Sequence, residues 1–281
     1  MIGLFWNARG LNGPHKNLRV QELIKAHCPD FICISVTKKN DFTLSQLETL
    51  DSRNGYFWKW LPAVDTAGGI LIGIKDDTFE ILSCDIHSFC VSCLLRCRNN
   101  NKEWRLISVY GSAYDEGKLD FINELHSVAD GWDGPTIIGG DFNLIRNAAE
   151  KSTGAINHHW ADLFNDWINK FSLIEIRNIG RRFTWGNNQE DMIMATLDRV
   201  FVTTDWEAMF PAVHLKALPR VASDHTPLLL DSGGIPAAKH RMFRFEKWWI
   251  GVEGFDELIH KTWNTKCLHT KAIDIWQLKL D

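Results

Sequence analysis

Short apolar runs alternate with amphipathic stretches along the chain as far as residue 230. Runs bounded by glycine, proline or polar residues are typical of strands, and apolar residues three and four positions apart are typical of helices. The predicted strands cover residues 2–6, 31–34, 68–74, 91–95, 105–110, 137–138, 197–202 and 228–230. Stripes at helical spacing mark three helices, within residues 20–27, 121–129 and 160–171. Strands that alternate with helices predict an α/β fold in a single domain.

A linker-like segment follows the last predicted strand. Residues 232–236 are serine, two glycines, isoleucine and proline, a composition that favours a loop. We therefore assign residues 1–232 to the α/β domain, and residues 233–281 to a linker and a partly helical C-terminal tail rich in basic and aromatic residues.

Composition narrows the choice of partners and compartment. The formal net charge is -4, so the chain as a whole attracts no polyanion, and a nucleic acid would need a local basic patch or metal ions. Seven cysteines without a paired framework indicate a reducing compartment, and we expect an intracellular protein, nuclear or cytoplasmic. The opening apolar run is too short for a signal peptide, and no run reaches the length of a membrane span.

Three of the cysteines, Cys90, Cys93 and Cys97, are spaced closely enough to suggest a zinc site. They lie in a strand-like apolar run, and no second pair of ligands matches them. Buried thiols are therefore the favoured interpretation.

Residues 137–143 form the stretch around which the candidate chemistry gathers: an apolar strand, Gly139, Gly140, and then Asp141 and Asn143. The glycines let the backbone turn, or pass close to a ligand. A carboxylate beside a carboxamide can orient water, hold a hard cation or bind a phosphate oxygen. The alternative for this stretch alone is an Asx turn at the end of a strand.

Other strand ends carry polar residues of the same kind. In α/β folds such ends gather at one edge of the sheet. An aspartate beside a histidine suits acid–base catalysis, because the carboxylate orients the ring and stabilises its charged form. With a hard cation, the combined set predicts cleavage of a phosphate ester. The set comprises Asn7, Tyr110, Asp141, Asn143, Asp198, Asp224 and His225.

Several motifs in order resemble the endonuclease/exonuclease/phosphatase superfamily, which includes DNase I, and within it the endonuclease domain of plant LINE-type (non-LTR) retrotransposons. The resemblance covers residues 1 to about 232. It implies a four-layer α/β sandwich, in which two packed mixed β-sheets are flanked by helices. The motifs lie at residues 6–11 (WNARGL), 68–71 (GGIL), 109–111 (VYG), 139–143 (GGDFN), 183–185 (FTW), 197–199 (LDR) and 223–225 (SDH).

The resemblance implies a role for each catalytic candidate. Tyr110 would contact the scissile phosphate, and Asp141 would orient or deprotonate the attacking water. Asn143 would contact a phosphate oxygen. His225, oriented by Asp198, would bind or protonate the phosphate. The implied reaction is hydrolysis of a DNA phosphodiester bond by a monomeric, Mg²⁺-dependent endonuclease.

The metal end of the implied site departs from the family pattern. Asn7 and Asp224 would support Mg²⁺ or Mn²⁺. The family's usual metal-binding glutamate, however, is replaced by Val36, which has no donor atom. We therefore expect the cation to bind weakly and the activity to be reduced.

Two further hypotheses remain open beside the active endonuclease. One is a non-catalytic descendant that binds nucleic acid or protein. The other is a phosphatase of the same superfamily with a small substrate. For DNA binding, residues that flank the site loops could contact phosphates, with solvated surface charge and, for the tryptophan, core packing as the alternatives. These residues are Lys38, Lys39, Arg177, Arg181, Arg182 and Trp185.

Overall fold

The computed structural model describes residues 1–51, 55–64, 67–233 and 252–263. The chain divides into two compact units, Met1–Ile235 and Pro236–Asp281. Of the second unit, the described part contains one helix, and the rest of the predicted 233–281 tail lies outside the described residues. The division at residue 232 therefore stays a prediction.

The strands and helices follow the apolar pattern closely where runs are long. The strands are β1 (Ile2–Asn7), β2 (Phe31–Ser35), β3 (Tyr56–Leu61), β4 (Ile70–Lys75), β5 (Phe79–Ile86), β6 (Cys90–Cys97), β7 (Glu103–Tyr110), β8 (Thr136–Asp141), β9 (Ile174–Glu175), β10 (Asn178–Ile179), β11 (Trp185–Gly186), β12 (Met194–Ala195), β13 (Asp198–Val202), β14 (His214–Ala217) and β15 (Leu228–Asp231). The helices are α1 (Pro14–His27), α2 (Leu44–Leu50), α3 (Lys118–Asp130), α4 (His158–Lys170), α5 (Thr204–Met209) and, in the second unit, α6 (Phe255–Trp263).

Two mixed sheets form the centre of the first unit. A seven-stranded sheet has the order β10-β14-β15-β1-β2-β4-β3, and a six-stranded sheet has the order β5-β6-β7-β8-β13-β9. One neighbouring pair near the middle of each sheet is parallel, β1 with β2 and β7 with β8. Parallel neighbours end at the same edge of a sheet, so both sheets present loops that follow paired strand ends.

Side chains that alternate along the strands build the layers. Phe5, Phe31 and Leu106 point between the sheets and form a core with Trp104 and Trp206. The opposite faces are covered by helices, so the described architecture is a four-layer α/β sandwich, which confirms the predicted fold. The outer clusters contain Leu4, Trp6, Ile32, Ile34, Val20, Leu23, Leu47 and Leu50 under α1 and α2, and Ile107, Val109, Ile138, Phe201, Phe121, Leu125, Phe164 and Trp167 under α3 and α4.

Gly139 and Gly140 lie within β8, where the chain does not turn, and they pack against groups of other strands. A Cβ at Gly139 would lie 2.5 Å from the ring of Phe5, in the facing sheet, and one at Gly140 would lie 2.2 Å from the carbonyl oxygen of Val109. Gly140 also has a φ of 141°, which residues with a Cβ rarely adopt. These glycines therefore permit close packing between the sheets and between strands, rather than the turn or ligand approach expected from the sequence.

The cysteines correct one expectation. Cys90 and Cys97 are free and buried, as predicted. Cys93, however, is not a free thiol: it lies opposite Cys84 on the neighbouring strand and forms a disulfide with it. Directly opposed positions on antiparallel strands are close enough for such a bond, and the sequence alone did not show which strand faces β6. None of the described helices combines the length and the apolar character that crossing a membrane would need.

Candidate active site

Three polar residues lie abreast at one edge of the six-stranded sheet. Tyr110 ends β7 and is paired with Asp141, which ends β8. Asp141 is also paired with Asp198, which begins the antiparallel strand β13. Directly opposed residues share a face of the sheet, so the strand register brings together three positions that are far apart in the sequence.

Asn7 joins this row to the other sheet. It ends β1, is 1% exposed, and its Nδ2 donates a hydrogen bond to Asp141 Oδ2 at 2.8 Å. The two central strand ends are therefore connected by a direct side-chain bond. The site lies where both sheets end, in the first compact unit.

His225 completes the group from the loop before β15. Its Nδ1 lies 2.8 Å from Asp198 Oδ2, and its Nε2 lies 3.8 Å from Asp141 Oδ2 and 3.3 Å from Asn7 Nδ2. Ser223 holds the loop: its hydroxyl donates to the carbonyl oxygen of Asn7 at 2.8 Å and accepts from the backbone N–H of His225. We call Asn7, Asp141, Asp198 and His225 the carboxylate–imidazole cluster.

Burial and charge set the protonation of this cluster. Burial raises the pKa of Asp141 to about 6, and the charge of Asp198 adds to that effect while His225 opposes it. Burial alone would lower the pKa of His225, but the charges of Asp198 and Asp141 outweigh it and raise the pKa to about 9. Between these values Asp141 is mainly a carboxylate and His225 an imidazolium. A base and an acid are thus available together near neutral pH.

Asn143 and Tyr110 border the cluster. The backbone N–H of Asn143 donates to Asp141 Oδ1 at 3.0 Å, and its Nδ2 donates to the carbonyl oxygen of Gly111 at 2.8 Å. Burial raises the pKa of Tyr110, and the charge of Asp141 raises it further, so the phenol keeps its proton. Both residues are partly exposed, whereas the cluster is buried.

Asp224 lies beside the cluster in a different set of contacts. Arg9 donates to both of its carboxylate oxygens, from Nε at 2.9 and 3.1 Å and from Nη2 at 2.8 Å. Trp185 Nε1 donates to Oδ2 at 2.9 Å. Burial would raise the pKa of Asp224, but the hydrogen bonds and charge of Arg9, the charge of His225 and the hydrogen bond from Trp185 together lower it. We call the hydrogen-bonded pair of Arg9 and Asp224 the Arg9–Asp224 clamp.

Val36 lies in the loop after β2 and is 2% exposed. Its φ is 54°, a left-handed conformation that is strained for a β-branched residue. Backbone hydrogen bonds hold the loop in this shape, from Gly10 N–H to the carbonyl oxygen of Val36 and from Thr37 N–H to that of Gly69. The loop therefore keeps a backbone conformation that an unbranched side chain would adopt with less strain.

Two groups of residues are candidates for binding a metal ion, and they differ in how well their free oxygen and nitrogen atoms suit a cation. Asp141, Asp198 and His225 place ligand atoms within 4.8 Å of one another and could bind a metal. Their carboxylate oxygens, however, already contact Asn7, the Asn143 N–H and the His225 ring. A cation there would also face a charged imidazolium.

The predicted metal end, formed by Asn7, Asp224 and Val36, suits a cation less well than the group of Asp141, Asp198 and His225. Asn7 Oδ1 accepts from the Arg9 backbone N–H at 3.0 Å, Asp224 is occupied by Arg9, and Val36 supplies no oxygen. The residues present there do not fit a tightly bound divalent ion.

The predicted nucleic-acid contacts scatter over the first unit. Lys38 is exposed beside the β1–α1 loop, and Trp185 reaches Asp224 and lies 6.5 Å, ring to ring, from His225. Lys39 lies over the ring of Phe42. Arg177 lines a separate pocket with His214, and Arg182 packs on Phe183 and binds the carbonyl oxygen of Ala149. Arg181 is partly exposed.

Two residues that sequence reasoning did not single out position the site. Thr184 is fully buried, and its hydroxyl accepts from the backbone N–H groups of Leu197 and Asp198 at 3.0 and 2.9 Å. It therefore fixes the start of β13. Arg9 binds Asp224. Both lie inside quoted motifs, FTW and WNARGL, so their positions in those motifs were the available signal.

The sequence profile of the endonuclease/exonuclease/phosphatase family matches residues 4–225. That match spans most of the chain, and the protein belongs to this family. The family's enzymes are hydrolases that use divalent metals and act on phosphodiester or phosphate bonds. No curated protein sequence matches the chain.

Solved structures with the same fold include enzymes acting on different phosphate esters. An AP endonuclease from Leishmania major is 16% identical, with a TM-score of 0.65 over 82% of this chain and 86% of that one. A 3′ phosphatase from Neisseria, bound to a product DNA hairpin, is 18% identical, with a TM-score of 0.60 over 82% and 98%. A mannosyl-6-phosphatase of Bacteroides thetaiotaomicron is 15% identical, with a TM-score of 0.56 over 82% and 98%. At such identities these likenesses establish the fold alone.

Proposed function

We propose that this protein is an endonuclease that hydrolyses DNA phosphodiester bonds slowly, with a divalent cation, Mg²⁺ or Mn²⁺, held weakly. The observation that carries the proposal is the carboxylate–imidazole cluster, in which a buried base and a buried acid lie at one edge of two sheets. A similar fold that binds a product DNA hairpin in the Neisseria 3′ phosphatase supports DNA as the substrate.

Each residue of the cluster has one step in the proposed reaction. Asp141, ionised above pH about 6, orients a water molecule and accepts its proton as the oxygen attacks phosphorus. His225, charged below pH about 9, donates a proton to the leaving oxygen as the phosphorus–oxygen bond breaks. Asp198 keeps the ring oriented and charged, and Asn7 orients Asp141.

Tyr110 and Asn143 would contact the phosphate. They are the partly exposed neighbours of Asp141, so a bound phosphate would meet them on its way to the cluster. Donors aimed at phosphate oxygens stabilise the charge that develops there.

The predicted metal end is the reason that we expect a slow rate. A divalent cation would supply charge stabilisation at the phosphate, but Val36 and the Arg9–Asp224 clamp leave that end without free carboxylate oxygens. The proposed proton transfers therefore use the protein's own side chains. We expect the cluster alone to give weak hydrolysis.

The proposed origin is a LINE-type retrotransposon, and it rests on the ordered motifs from WNARGL to SDH. A non-catalytic descendant that still binds DNA is a second candidate, and the valine at position 36 favours it. The two candidates share a DNA ligand and differ only in turnover.

Nicking of supercoiled plasmid under excess enzyme tests the function. Wild-type protein should convert the plasmid slowly to the open circle in Mg²⁺, and the Asp141→Ala variant, purified identically, should not. Equal conversion by both proteins would mean a contaminating nuclease, and no conversion by wild type would reject catalysis in favour of the binding descendant.

A further inference from the structure

A buried arginine on the six-stranded sheet has no ion-pair partner. Arg105 lies near the start of β7 and is 9% exposed. Its Nε is buried without a hydrogen-bond partner, and no described residue binds the rest of its guanidinium. A guanidinium stays charged and carries five N–H donors, and a buried charge is costly unless it is paired. Arg105 therefore differs from Arg199, which is also buried but whose Nη atoms bind Glu150 and Glu175.

Arg105 faces the helical layer rather than the space between the sheets. Its neighbours along β7, Trp104 and Leu106, belong to the core between the sheets, whereas Ile107 belongs to the cluster under α3 and α4. Alternation along the strand therefore places Arg105 on the outer face. Tyr110 ends the same strand, about 17 Å further along at the usual rise per residue. The surroundings of Arg105 are thus separate from the candidate active site.

Three carboxylates of this outer face already have other partners. Glu103, two residues before Arg105, accepts from Nε and Nη2 of Arg96, and Glu80 accepts from Nη1 of the same arginine. Glu124 of α3 accepts from two backbone N–H groups in the turn between β5 and β6. None of the three is left to pair with Arg105.

The charges nearest to Arg105 do not compensate it fully. Burial lowers the pKa of Arg105, and a negative charge on Cys90 or Asp85 would raise it. Burial also raises the pKa of the Cys90 thiol, which therefore stays neutral. Asp85 is an exposed residue of β5, and in the described structure it forms no ion pair with Arg105. A single carboxylate thus acts on the guanidinium, and only from a distance.

A second buried N–H group lies at the same end of this face. Nε1 of Trp132, in the α3–β8 loop, is buried without a partner. The indole lies against Gly134, where a Cβ would be 2.6 Å from Nε1. The next residue, Pro135, accepts a hydrogen bond from the backbone N–H of Arg105 at 2.8 Å. Both unpartnered atoms are donors, so a group that offers acceptor oxygens would satisfy them.

We propose that Arg105 and Trp132 bind the carboxylate of a small organic acid on the outer face of the six-stranded sheet. Two donor groups match the two oxygens of a carboxylate, and a guanidinium binds that planar group with two parallel hydrogen bonds. The buried donor atoms require a small ligand. Asp85 disfavours a second negative charge, so a monoanion fits better than a phosphate. This site does not depend on the proposed nuclease activity.

Titration of the ¹⁵N-labelled 281-residue chain with sodium acetate tests the proposal, with sodium chloride at matched ionic strength as the reference. NMR follows the side-chain N–H signals of Arg105 and Trp132, which are assigned with Arg105→Met and Trp132→Phe. The matched control is Arg96→Met, because Arg96 lies on the same face but already binds two carboxylates. Thermal unfolding of each variant shows whether it is folded.

We expect acetate, and not chloride, to shift both signals to saturation. Arg105→Met should weaken acetate binding about tenfold, as measured at the Trp132 signal. Asp85→Asn should strengthen it about threefold, because the variant removes a competing carboxylate. Arg96→Met should match wild type. If Arg105→Met does not fold, Asp85→Asn compared with Arg96→Met decides.

Four results would overturn the proposal. The first is the absence of a saturable shift in acetate, and the second is an unchanged affinity in folded Arg105→Met. The third is a shift at Arg105 without one at Trp132, since the site needs both donors. The fourth is tighter binding of inorganic phosphate than of acetate, which would make this a phosphate site.

Discussion

The carboxylate–imidazole cluster and the loops around Val36 and Arg9 lie side by side, yet only the first carries a complete set of partners for its proposed chemistry. Every polar side chain of the cluster is buried and bonded to another member. At the adjacent metal end, Val36 has a strained, left-handed backbone conformation, and the carboxylate of Asp224 accepts hydrogen bonds from Arg9. The residues proposed for proton transfer and those predicted for cation binding are therefore held by separate contacts, so one set can change while the other persists.

The largest expected effect is at Asp141. The isosteric change Asp141→Asn keeps the bond from Asn143 but removes the base, and we expect nicking to fall about 1000-fold. Single-turnover nicking at saturating enzyme measures the loss. A loss below tenfold, with an unchanged melting temperature, would mean that this carboxylate is not the base.

Stability should depend on pH through His225. Its pKa is about 9 in the folded protein and 6.5 ordinarily, so the folded state holds the proton more tightly. The stabilisation is complete below pH 6.5 and is lost as pH rises through 9, by about 3 kcal/mol. Urea unfolding across this range should show the fall, and His225→Gln should be nearly flat. If the unfolding free energies of wild type and His225→Gln changed with pH in parallel, that would contradict a charged, buried imidazole at position 225.

Removing the imidazole should cost less than removing the base. We expect His225→Ala to lower the nicking rate at least ~100-fold, the usual scale for a general acid. The wild-type rate should rise through pH 6 and fall through pH 9, following Asp141 and His225. Asp198→Asn removes the charge that raises the pKa of His225, so its falling limb should move toward 6.5. If the rate of Asp198→Asn still fell through pH 9, the falling limb would belong to a group other than His225.

The sequence predicted the strand ends of the site well because long, uninterrupted apolar runs fix where a buried strand stops. The predicted strand at 197–202 is observed as Asp198–Val202, and 105–110 as Glu103–Tyr110. Contacts across the fold could not be read in the same way. The bond from Asn7 to Asp141 joins residues 134 apart, and that from Arg9 to Asp224 joins residues 215 apart.

Elements without a clear apolar period were missed. β3 contains four aromatic residues but also Lys59, and it lies at the edge of its sheet. α2 has only seven residues, too few for a stripe to be recognised, although Thr43 and Gln46 form a capping box that would have marked its start. The local signal was present there, whereas the pairing of Cys84 with Cys93 depended on strand register.

Mg²⁺-dependent nicking by the Val36→Glu variant tests most directly the claim that the cluster is intact and only the metal end is deficient. Glutamate suits the left-handed backbone at position 36 better than valine and returns an anionic oxygen to the site. Wild type, Val36→Glu and Val36→Glu/Asp141→Ala are compared after identical purification. We predict about a tenfold gain for Val36→Glu, which Asp141→Ala abolishes. Robust wild-type nicking that Val36→Glu does not increase, or no gain in a folded variant, would contradict the account.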